Sequence, residues 1–205
     1  MVRIYVIRHG QTEANTRSAC VGSLDYPLNE TGLSQAQKLA EKLNTKADAV
    51  YCSPLSRAMQ TIRPYMEQHS DLKLEIIPEL TERDFGLWED YSYKQISEME
   101  PEQFRIWQDN YFDYKLPNGE SLIEVHNRVR PFLDEIRTSH DGQTVFLVTH
   151  LCTGRQIISD LLGLDDTNAK KIFHAQIFTQ IGKDFLCLNI KSAFLFDEYS
   201  SYFSH

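Results

Sequence analysis

The chain has 205 residues, of which 41% are hydrophobic and 24% are charged, and this composition excludes intrinsic disorder and collagen-like repeats. Its formal net charge of -8 argues against a nucleic-acid-binding surface, since such surfaces gain their affinity from an excess of Lys and Arg. No apolar run approaches the roughly 20 residues that span a bilayer, so neither a membrane segment nor a membrane partner is expected.

The first predicted elements are a strand and a helix. Residues 3–7 (RIYVI) form a β-branched and aromatic run that is typical of a buried strand, and the run stops at Arg8-His9. From Leu33 to Leu43 the apolar residues recur with the spacing of one helix face. We expect Thr31 or Ser34 to cap that helix.

A second strand and helix follow in the same order. Residues 47–52 (ADAVYC) predict the strand. The next two residues, Ser53 and Pro54, predict a helix start, because a hydroxyl cap precedes a proline at the first helical position. Helical spacing then continues to Met66 and places Arg57 close to the first turn. A third strand fits residues 74–77.

The segment from 85 to 117 has a different composition, because nine of the chain's 23 aromatic residues lie between positions 85 and 114. We expect short helices here that cover one end of the sheet, with most of the aromatic side chains forming a small core beneath them. A turn at 117–119 then leads to Ser121 and Glu124, which predict a capping box. The helix that it opens has apolar residues as far as Ile136.

The last clear strand is residues 144–148 (TVFLV), which delivers Thr149-His150. A helix is expected to about Leu162, and two weaker strands near 177–181 and 185–190. Alternating strands and helices predict a three-layer α/β/α fold with a mostly parallel sheet. Without a repeat or a composition shift, residues 1–205 are predicted to form a single domain.

The four cysteines stand at positions 20, 52, 152 and 187, so they form neither a C-x-x-C pair nor a dense disulfide framework. We interpret them as reduced thiols of a cytoplasmic protein. The sequence leaves open whether the chain forms a homodimer.

Two histidines directly follow the two clearest strands. Because ligands of parallel α/β sheets bind beyond the carboxyl ends of strands, His9 and His150 are expected at the same edge. Arg8 adjoins the first histidine, and Arg57 lies near a helix N-terminus, which also favours an anion. Together these residues predict a phosphate site. The alternative is that each of them is separately structural, as strand-end histidines and exposed arginines often are.

These residues also stand in a specific order of motifs. The chain resembles the histidine phosphatase superfamily, the phosphoglycerate-mutase-like proteins, over most of its length. The resemblance depends on the succession Arg8-His9-Gly10-Gln11-Thr12-Glu13, Ser53-Pro54-Leu55-Ser56-Arg57-Ala58, Glu82-Arg83-Asp84-Phe85-Gly86, Gly119-Glu120-Ser121-Leu122 and Val148-Thr149-His150.

The resemblance implies a role for each matched residue. His9 would attack phosphorus and carry a phosphohistidine, so it must be neutral. The guanidiniums of Arg8 and Arg57 would hold the phosphoryl oxygens, and His150 would donate to one of them. Glu82 matches the carboxylic acid that protonates the leaving oxygen.

The remaining matches concern substrate binding and the choice of the acid. Asn15 matches a phosphate-contacting position, and Gly22 matches one where the backbone approaches the substrate. Asp84 and Glu89 are neighbouring carboxylates that could rival Glu82, but only Glu82 aligns with the family acid.

The chain departs from the family pattern at two positions that usually hold glycine. Leu151 follows the second histidine, where a positive φ would be strained, although its N-H can still meet phosphate and its side chain could alter substrate fit. The second departure is Asp90, which follows Trp88-Glu89.

Competing classes have less support. Metal catalysis is not expected, because the chain lacks H-x-H, H-E-x-x-H and clustered cysteines, so neither a metal nor another cofactor is predicted. A non-catalytic phosphate-binding module remains as an alternative from another class.

The expected activity is that of a phosphatase on a small phosphorylated metabolite. The 67 residues between Glu82 and His150 leave little room for the insertion of family mutases, although a phosphoglycerate mutase stays an alternative. Arg83 could bind a substrate carboxylate, which favours phosphoserine or a phosphoglycerate. The aromatic-rich segment resembles the α-ribazole phosphatase branch instead, and these substrates remain open.

Overall fold

The computed structural model describes residues 2–164 and the backbone of one later strand. These residues form one sheet of five strands: β1 (Arg3–Arg8), β2 (Ala49–Cys52), β3 (Leu74–Ile76), β4 (Thr144–Thr149) and β5 (Phe185–Asn189). The strand order is β3-β2-β4-β1-β5, with β1 to β4 parallel and β5 antiparallel to β1. The mostly parallel sheet is thus confirmed, whereas the strand expected near 177–181 lies outside the described residues.

Helices connect the strands at nearly the expected positions. They are α1 (Glu13–Thr16), α2 (Glu30–Lys42), α3 (Ser56–Gln68), α4 (Tyr93–Met99), α5 (Pro101–Asp109), α6 (Leu122–Ser139) and α7 (Leu151–Leu161), with single 3-10 turns at Pro78–Leu80 and Gly86–Trp88. The capping box that opens α6 is confirmed, since Ser121 Oγ accepts from Glu124 N and the Glu124 carboxylate accepts from Ser121 N. No helix among the described residues is both long and apolar enough to cross a membrane.

Both faces of the sheet are covered by helices, because successive side chains of β4 point to opposite sides. Val145 and Leu147 pack with α6 and α7, whereas Phe146 and Val148 pack with α2 and α3. All six residues of β4 are buried, as expected for a central strand with helices on both sides. The predicted three-layer α/β/α architecture is confirmed.

Two predicted helix caps are wrong. The cap of α2 is Asn29, whose Oδ1 accepts from Gly32 N at 2.9 Å, so Thr31 already lies inside the helix. Helix α3 begins at Ser56 without a side-chain cap from its own N-cap residue, Leu55. Instead the carboxylate of Asp25 accepts from Ser56 N at 2.8 Å, and the hydroxyl of Ser53 is directed to another partner.

The aromatic-rich segment forms the expected short helices α4 and α5 and a small core of its own. Trp88, Trp107 and Phe112 are buried there together with Ile96 and Leu116. Most of these rings therefore serve packing, as expected. Tyr91 and Tyr93 are more than a third exposed.

Candidate active site

The two strand-end histidines meet at the carboxyl edge of the sheet. Strands β1 and β4 are parallel neighbours in which Arg8 pairs with Thr149, and His9 N donates to Thr149 O at 3.0 Å. The residues that follow, His9 and His150, therefore leave the sheet side by side, and their ring centroids lie 5.1 Å apart. The predicted juxtaposition is confirmed.

The ring of His9 has a defined tautomer. Its Nδ1 lies 2.7 Å from the carbonyl oxygen of Gly10, and a carbonyl can only accept, so Nδ1 carries the hydrogen. Burial, together with the charges of Arg8 and Arg57, lowers the pKa of His9 well below its ordinary value. The unprotonated Nε2 of a neutral ring is consequently available as a nucleophile.

His150 is fully buried, and both of its ring nitrogens have partners. Arg57 Nε donates to Nδ1 at 3.2 Å, so Nε2 carries the hydrogen and donates to Ser53 Oγ at 2.8 Å. Burial and the neighbouring charges of Arg57 and Arg8 lower the pKa of His150 well below its ordinary value. In this arrangement His150 is a neutral ring held between Arg57 and Ser53.

The sequence pattern around Ser53 predicts a helix cap and does not indicate its contact with this ring. The hydroxyl also accepts from Leu55 N at 3.3 Å. The signal that could have found it is position alone: Ser53 follows β2, and the carboxyl end of β2 adjoins that of β4.

The two predicted arginines supply the positive charge of the site. Arg57 is buried, and its Nη1 and Nη2 donate to Leu24 O at 2.8 Å and Gly22 O at 2.9 Å. Arg8 differs, because its Nε is buried without a hydrogen-bond partner among residues 2–164. A buried guanidinium N-H that is left unpaired is costly, so Arg8 is prepared for an anionic ligand.

Glu82 lies at the N-terminus of α7. Its Oε1 accepts from Arg83 N at 2.8 Å and from Thr153 N at 3.0 Å, with the Thr153 hydroxyl at 3.3 Å. Among the described residues, its Oε2 accepts from Cys152 N alone, at 3.0 Å. Since each carboxyl oxygen has two lone pairs, Oε2 is the oxygen with bonding capacity left. The Glu82 charge acts on both site arginines, where it partly offsets the lowering of their pKa by burial.

The two rival carboxylates have structural partners. Glu89 accepts from the backbone N-H groups of Gly22, Ser23 and Phe85 at 2.9 to 3.2 Å, which ties two loops together. Asp84 Oδ1 accepts from Gly86 N at 2.8 Å within its own turn. Both carboxylates are thus engaged by the loops that carry them.

Gly22 permits a close approach of the chain beside Arg57. A Cβ atom there would lie 2.0 Å from Arg83 O, so no larger residue fits without a backbone shift. Its N-H is taken by Glu89 and its carbonyl by Arg57. Asn15 closes the capping box of α1 through Oδ1, and its Nδ2 has no acceptor in the described part of the chain.

Arg83, the residue expected to bind a substrate carboxylate, is a buried arginine. It is 1% exposed, and its Nε and Nη2 donate to Glu120 O at 2.9 Å and Tyr114 O at 3.2 Å. These two carbonyl groups are neutral, so they hold the guanidinium without balancing its charge. Arg83 is therefore a buried cation directly next to Glu82 in sequence.

The two departures from the family pattern differ in their backbone. Leu151 is the first residue of α7 and has no positive φ, so the strain considered for it is absent. Its side chain packs against the core on the α6 and α7 face, which leaves its N-H as the group that could contact a ligand. Asp90 does adopt a positive φ of 66°, and its carboxylate accepts from Arg17 Nη2 at 2.8 Å.

Within residues 2–164 there is no group of three or more His, Cys, Asp or Glu side chains that could hold a metal ion. The charges that face the edge of the sheet come from the protein's own guanidiniums.

Known proteins are similar to this chain in sequence and in fold. The model of the histidine phosphatase superfamily (branch 1) matches residues 4–179. Phosphoserine phosphatase 1 from Hydrogenobacter thermophilus is 37% identical over 168 residues, which are 80% of this chain and 78% of that protein. Adenosylcobalamin/alpha-ribazole phosphatase from Salmonella typhimurium is 30% identical over 177 residues, 86% of each protein. The crystal structure of the alpha-ribazole phosphatase from Shigella flexneri superposes with a TM-score of 0.79 at 29% identity, covering 93% of this chain and 91% of that one.

Proposed function

Since this chain belongs to the histidine phosphatase superfamily and is a phosphatase, we propose that it hydrolyses a small phosphomonoester through a phosphohistidine at His9, without a metal ion. The observation that carries the proposal is the state of the His9 ring: Nδ1-H is bound by Gly10 O, which leaves Nε2 unprotonated, and the positive charges of Arg8 and Arg57 act on the ring. A neutral imidazole that is held beside fixed positive charge is suited to attack a phosphate.

In the first half-reaction Nε2 of His9 attacks phosphorus, so that an N-P bond forms while the P-O bond to the alcohol breaks. Arg8 and Arg57 hold the phosphoryl oxygens and stabilise the charge that spreads over them. The unpaired Nε of Arg8 and the free amide of Asn15 support this assignment, since both offer N-H donors that no described residue accepts.

His150 acts beside them as a neutral ring. The hydrogen on its Nε2 is bound by Ser53 in the structure, so a direct bond to a phosphoryl oxygen requires that donor to change partner. Its contact with Arg57 supports a second role, which is to hold that guanidinium in a fixed position relative to His9.

Glu82 supplies and recovers the proton. The leaving oxygen takes the hydrogen of the protonated carboxyl group as the P-O bond breaks, and the alcohol departs. In the second half-reaction the ionised carboxylate takes a proton from water, whose oxygen attacks phosphorus, breaks the N-P bond and releases inorganic phosphate. Oε2 is the proposed donor atom, because Oε1 already accepts from two backbone N-H groups.

The preferred substrate class is a phosphorylated acid such as phosphoserine or a phosphoglycerate. Arg83 supports this preference, since it is a buried cation whose two bound acceptors are neutral carbonyls. A substrate carboxylate beside it would balance its charge through charge-assisted hydrogen bonds. The 37% identity to a phosphoserine phosphatase agrees with that preference.

A second candidate is an α-ribazole phosphate, with the partly exposed side chains of Tyr91 and Tyr93 as a stacking surface for the base. The similarity to two alpha-ribazole phosphatases supports it. A phosphoglycerate mutase activity would use the same site if the phosphohistidine lasted long enough to return its phosphoryl group. As part of the proposal the enzyme acts in the cytoplasm, in line with the free thiols of Cys20, Cys52 and Cys152.

One screen tests the substrate. Phosphate release is measured with phosphoserine, 2- and 3-phosphoglycerate, α-ribazole phosphate and sugar phosphates, with and without 2,3-bisphosphoglycerate. We expect the highest kcat/KM for a phosphorylated acid. Preference for α-ribazole phosphate, or isomerisation of phosphoglycerate instead of phosphate release, would select one of the alternatives.

A second experiment tests the mechanism. After a rapid acid-free quench, the wild-type protein should carry an acid-labile phosphoryl group at His9, and His9→Ala should carry none and release no phosphate. Full turnover should persist in a metal chelator. Normal turnover by His9→Ala would overturn the phosphohistidine, and loss of activity in chelator that a divalent cation restores would overturn metal independence.

A further inference from the structure

Thr153 is a fully buried side chain in the first turn of α7, directly beside the carboxyl group of Glu82. Its Oγ1 lies 2.6 Å from the carbonyl oxygen of Thr81 and 3.3 Å from Glu82 Oε1. Its backbone N-H donates to the same Oε1 at 3.0 Å. We propose that Thr153 is a positioning residue that orients the Glu82 carboxyl group so that Oε2 faces the leaving oxygen. The inference rests on the function proposed above.

The carboxyl group of Glu82 needs such a device, because the last torsion of a glutamate side chain is broad and has no strong preference of its own. Its orientation is therefore set by hydrogen bonds. Of the four hydrogen bonds that described residues make to this group, three converge on Oε1, and two of these come from Thr153. Proton transfer requires hydrogen-bond reach between donor and acceptor, so a rotated carboxyl group would present the wrong oxygen.

The Thr153 hydroxyl can serve both half-reactions. It carries one hydrogen and has two acceptors within reach, Thr81 O and Glu82 Oε1. While Glu82 is ionised, the hydroxyl can donate to Oε1. Once Glu82 holds a proton on Oε2, Oε1 is the carbonyl oxygen of the acid and can still accept from the hydroxyl. The carboxyl group keeps its orientation in both states.

The chain offers a matched control in Thr149. That side chain is also fully buried, and its hydroxyl donates to a carbonyl of the same segment, Leu80 O, at 2.7 Å. It makes no contact with Glu82 among the described hydrogen bonds. Replacement of either threonine by valine keeps the shape of the side chain and removes one hydroxyl bond to the 80–81 backbone. Only the replacement of Thr153 also removes a contact to the acid.

The test compares leaving groups in Thr153→Val, Thr153→Ser, Thr149→Val and Glu82→Gln. An alkyl phosphate needs protonation of its leaving oxygen, whereas p-nitrophenolate leaves without it. We expect Thr153→Val to lower kcat/KM for the best alkyl substrate about tenfold or more and that for p-nitrophenyl phosphate about twofold or less, since general acid catalysis contributes about 100-fold or more. Thr153→Ser should restore the alkyl activity, and Glu82→Gln should show the same selectivity in stronger form.

Thr149→Val should change kcat/KM for both substrates by a similar factor. Thermal unfolding of each variant shows whether it is folded, and Thr153→Ser keeps the test decisive should Thr153→Val not fold, since a serine that keeps alkyl activity supports the hydroxyl. Equal losses for both leaving groups in Thr153→Val, or alkyl activity lost in Thr153→Ser, would overturn the inference alone. If Glu82→Gln also shows no leaving-group dependence, the proposed acid itself is wrong.

Discussion

At the scale of single residues, the neutral state of His9 and His150 links activity to stability. Burial is the largest cause of the lowered pKa of each ring, and neighbouring positive charge adds to it. The unfolded chain therefore binds protons on acidification that the folded protein does not. Stability from this source is complete above about pH 6.5, the ordinary histidine pKa, and falls as the pH decreases below it.

This gives a prediction for His150→Asn. When the pH falls from about 7.5 to about 5.5, each of the two rings should lower the unfolding free energy of the wild-type protein by about 1 kcal/mol. The variant lacks one ring, so its unfolding free energy should fall by about 1 kcal/mol less over the same interval. Urea titrations at both pH values provide the measurement. An identical pH dependence in the two proteins would contradict the assignment.

Asp90 is a residue in a backbone conformation that suits glycine. At φ of 66°, a side chain with a Cβ carries a cost of about 1 kcal/mol that glycine avoids. Asp90→Gly and Asp90→Ala both remove the contact with Arg17, but only glycine removes the backbone cost. The glycine variant should therefore have the higher urea midpoint. Equal midpoints would mean that the backbone at position 90 relaxes.

At the scale of elements, α6 holds the segment that carries Glu82 through Arg128. The guanidinium pairs with the Glu120 carboxylate at 2.9 Å and donates to the carbonyl oxygens of Thr81 and Glu82 at 3.0 and 3.2 Å. The Glu120 carboxylate in turn accepts from Asp84 N at 3.0 Å. One ion pair thus binds the chain on both sides of the acid.

Arg128→Met should lower the unfolding free energy by about 2 kcal/mol, because Glu120 and the carbonyls lose their donor in a partly buried place. It should also reduce kcat/KM for an alkyl phosphate. Arg63→Met, which breaks an exposed pair with Glu67 on α3, is the matched control and should leave both quantities nearly unchanged. Similar losses in the two variants would contradict a special role for Arg128.

The elements with a clear period were predictable, whereas helix starts depended on tertiary contacts. The strand of residues 3–7 and the helix after Ser121 follow from local pattern. Ser53-Pro54 has the local signature of a cap, but the hydroxyl of Ser53 bonds to His150, which is distant in sequence. A rule that considers only neighbouring residues cannot predict that the hydroxyl bonds to a distant ring instead of capping the helix.

The candidate site was predictable for a different reason. Its histidines follow strands, and strand order in a parallel sheet brings carboxyl ends to one edge. What the sequence could not give are the partners of buried polar groups. Glu89 links two loops, and Arg83 is buried, only because of how the surrounding loops fold.

At the scale of the whole molecule, a chain with a net charge of -8 concentrates positive charge at one edge of its sheet. Inorganic phosphate should bind there and stabilise the folded state, by about 2.7 kcal/mol at a concentration of about 100 Kd. Arg8→Met should lose most of this stabilisation, because Arg8 Nε has no hydrogen-bond partner among the described residues and we expect phosphate to accept from it. Arg63→Met should keep it. Thermal unfolding with and without phosphate provides the measurement, and equal stabilisation of wild type and Arg8→Met would contradict the site.

The pairing of β1 with β4 has a consequence for biosynthesis. Arg3 pairs with Thr144, so β1 leaves the ribosome long before its partner strand β4, which lies far later in the sequence. Until then the two imidazoles cannot meet, so a nascent polypeptide lacks the site that we propose acts on phosphorylated metabolites. Contacts between residues so distant in sequence slow folding. The appearance of phosphatase activity would therefore show that β1 and β4 have paired.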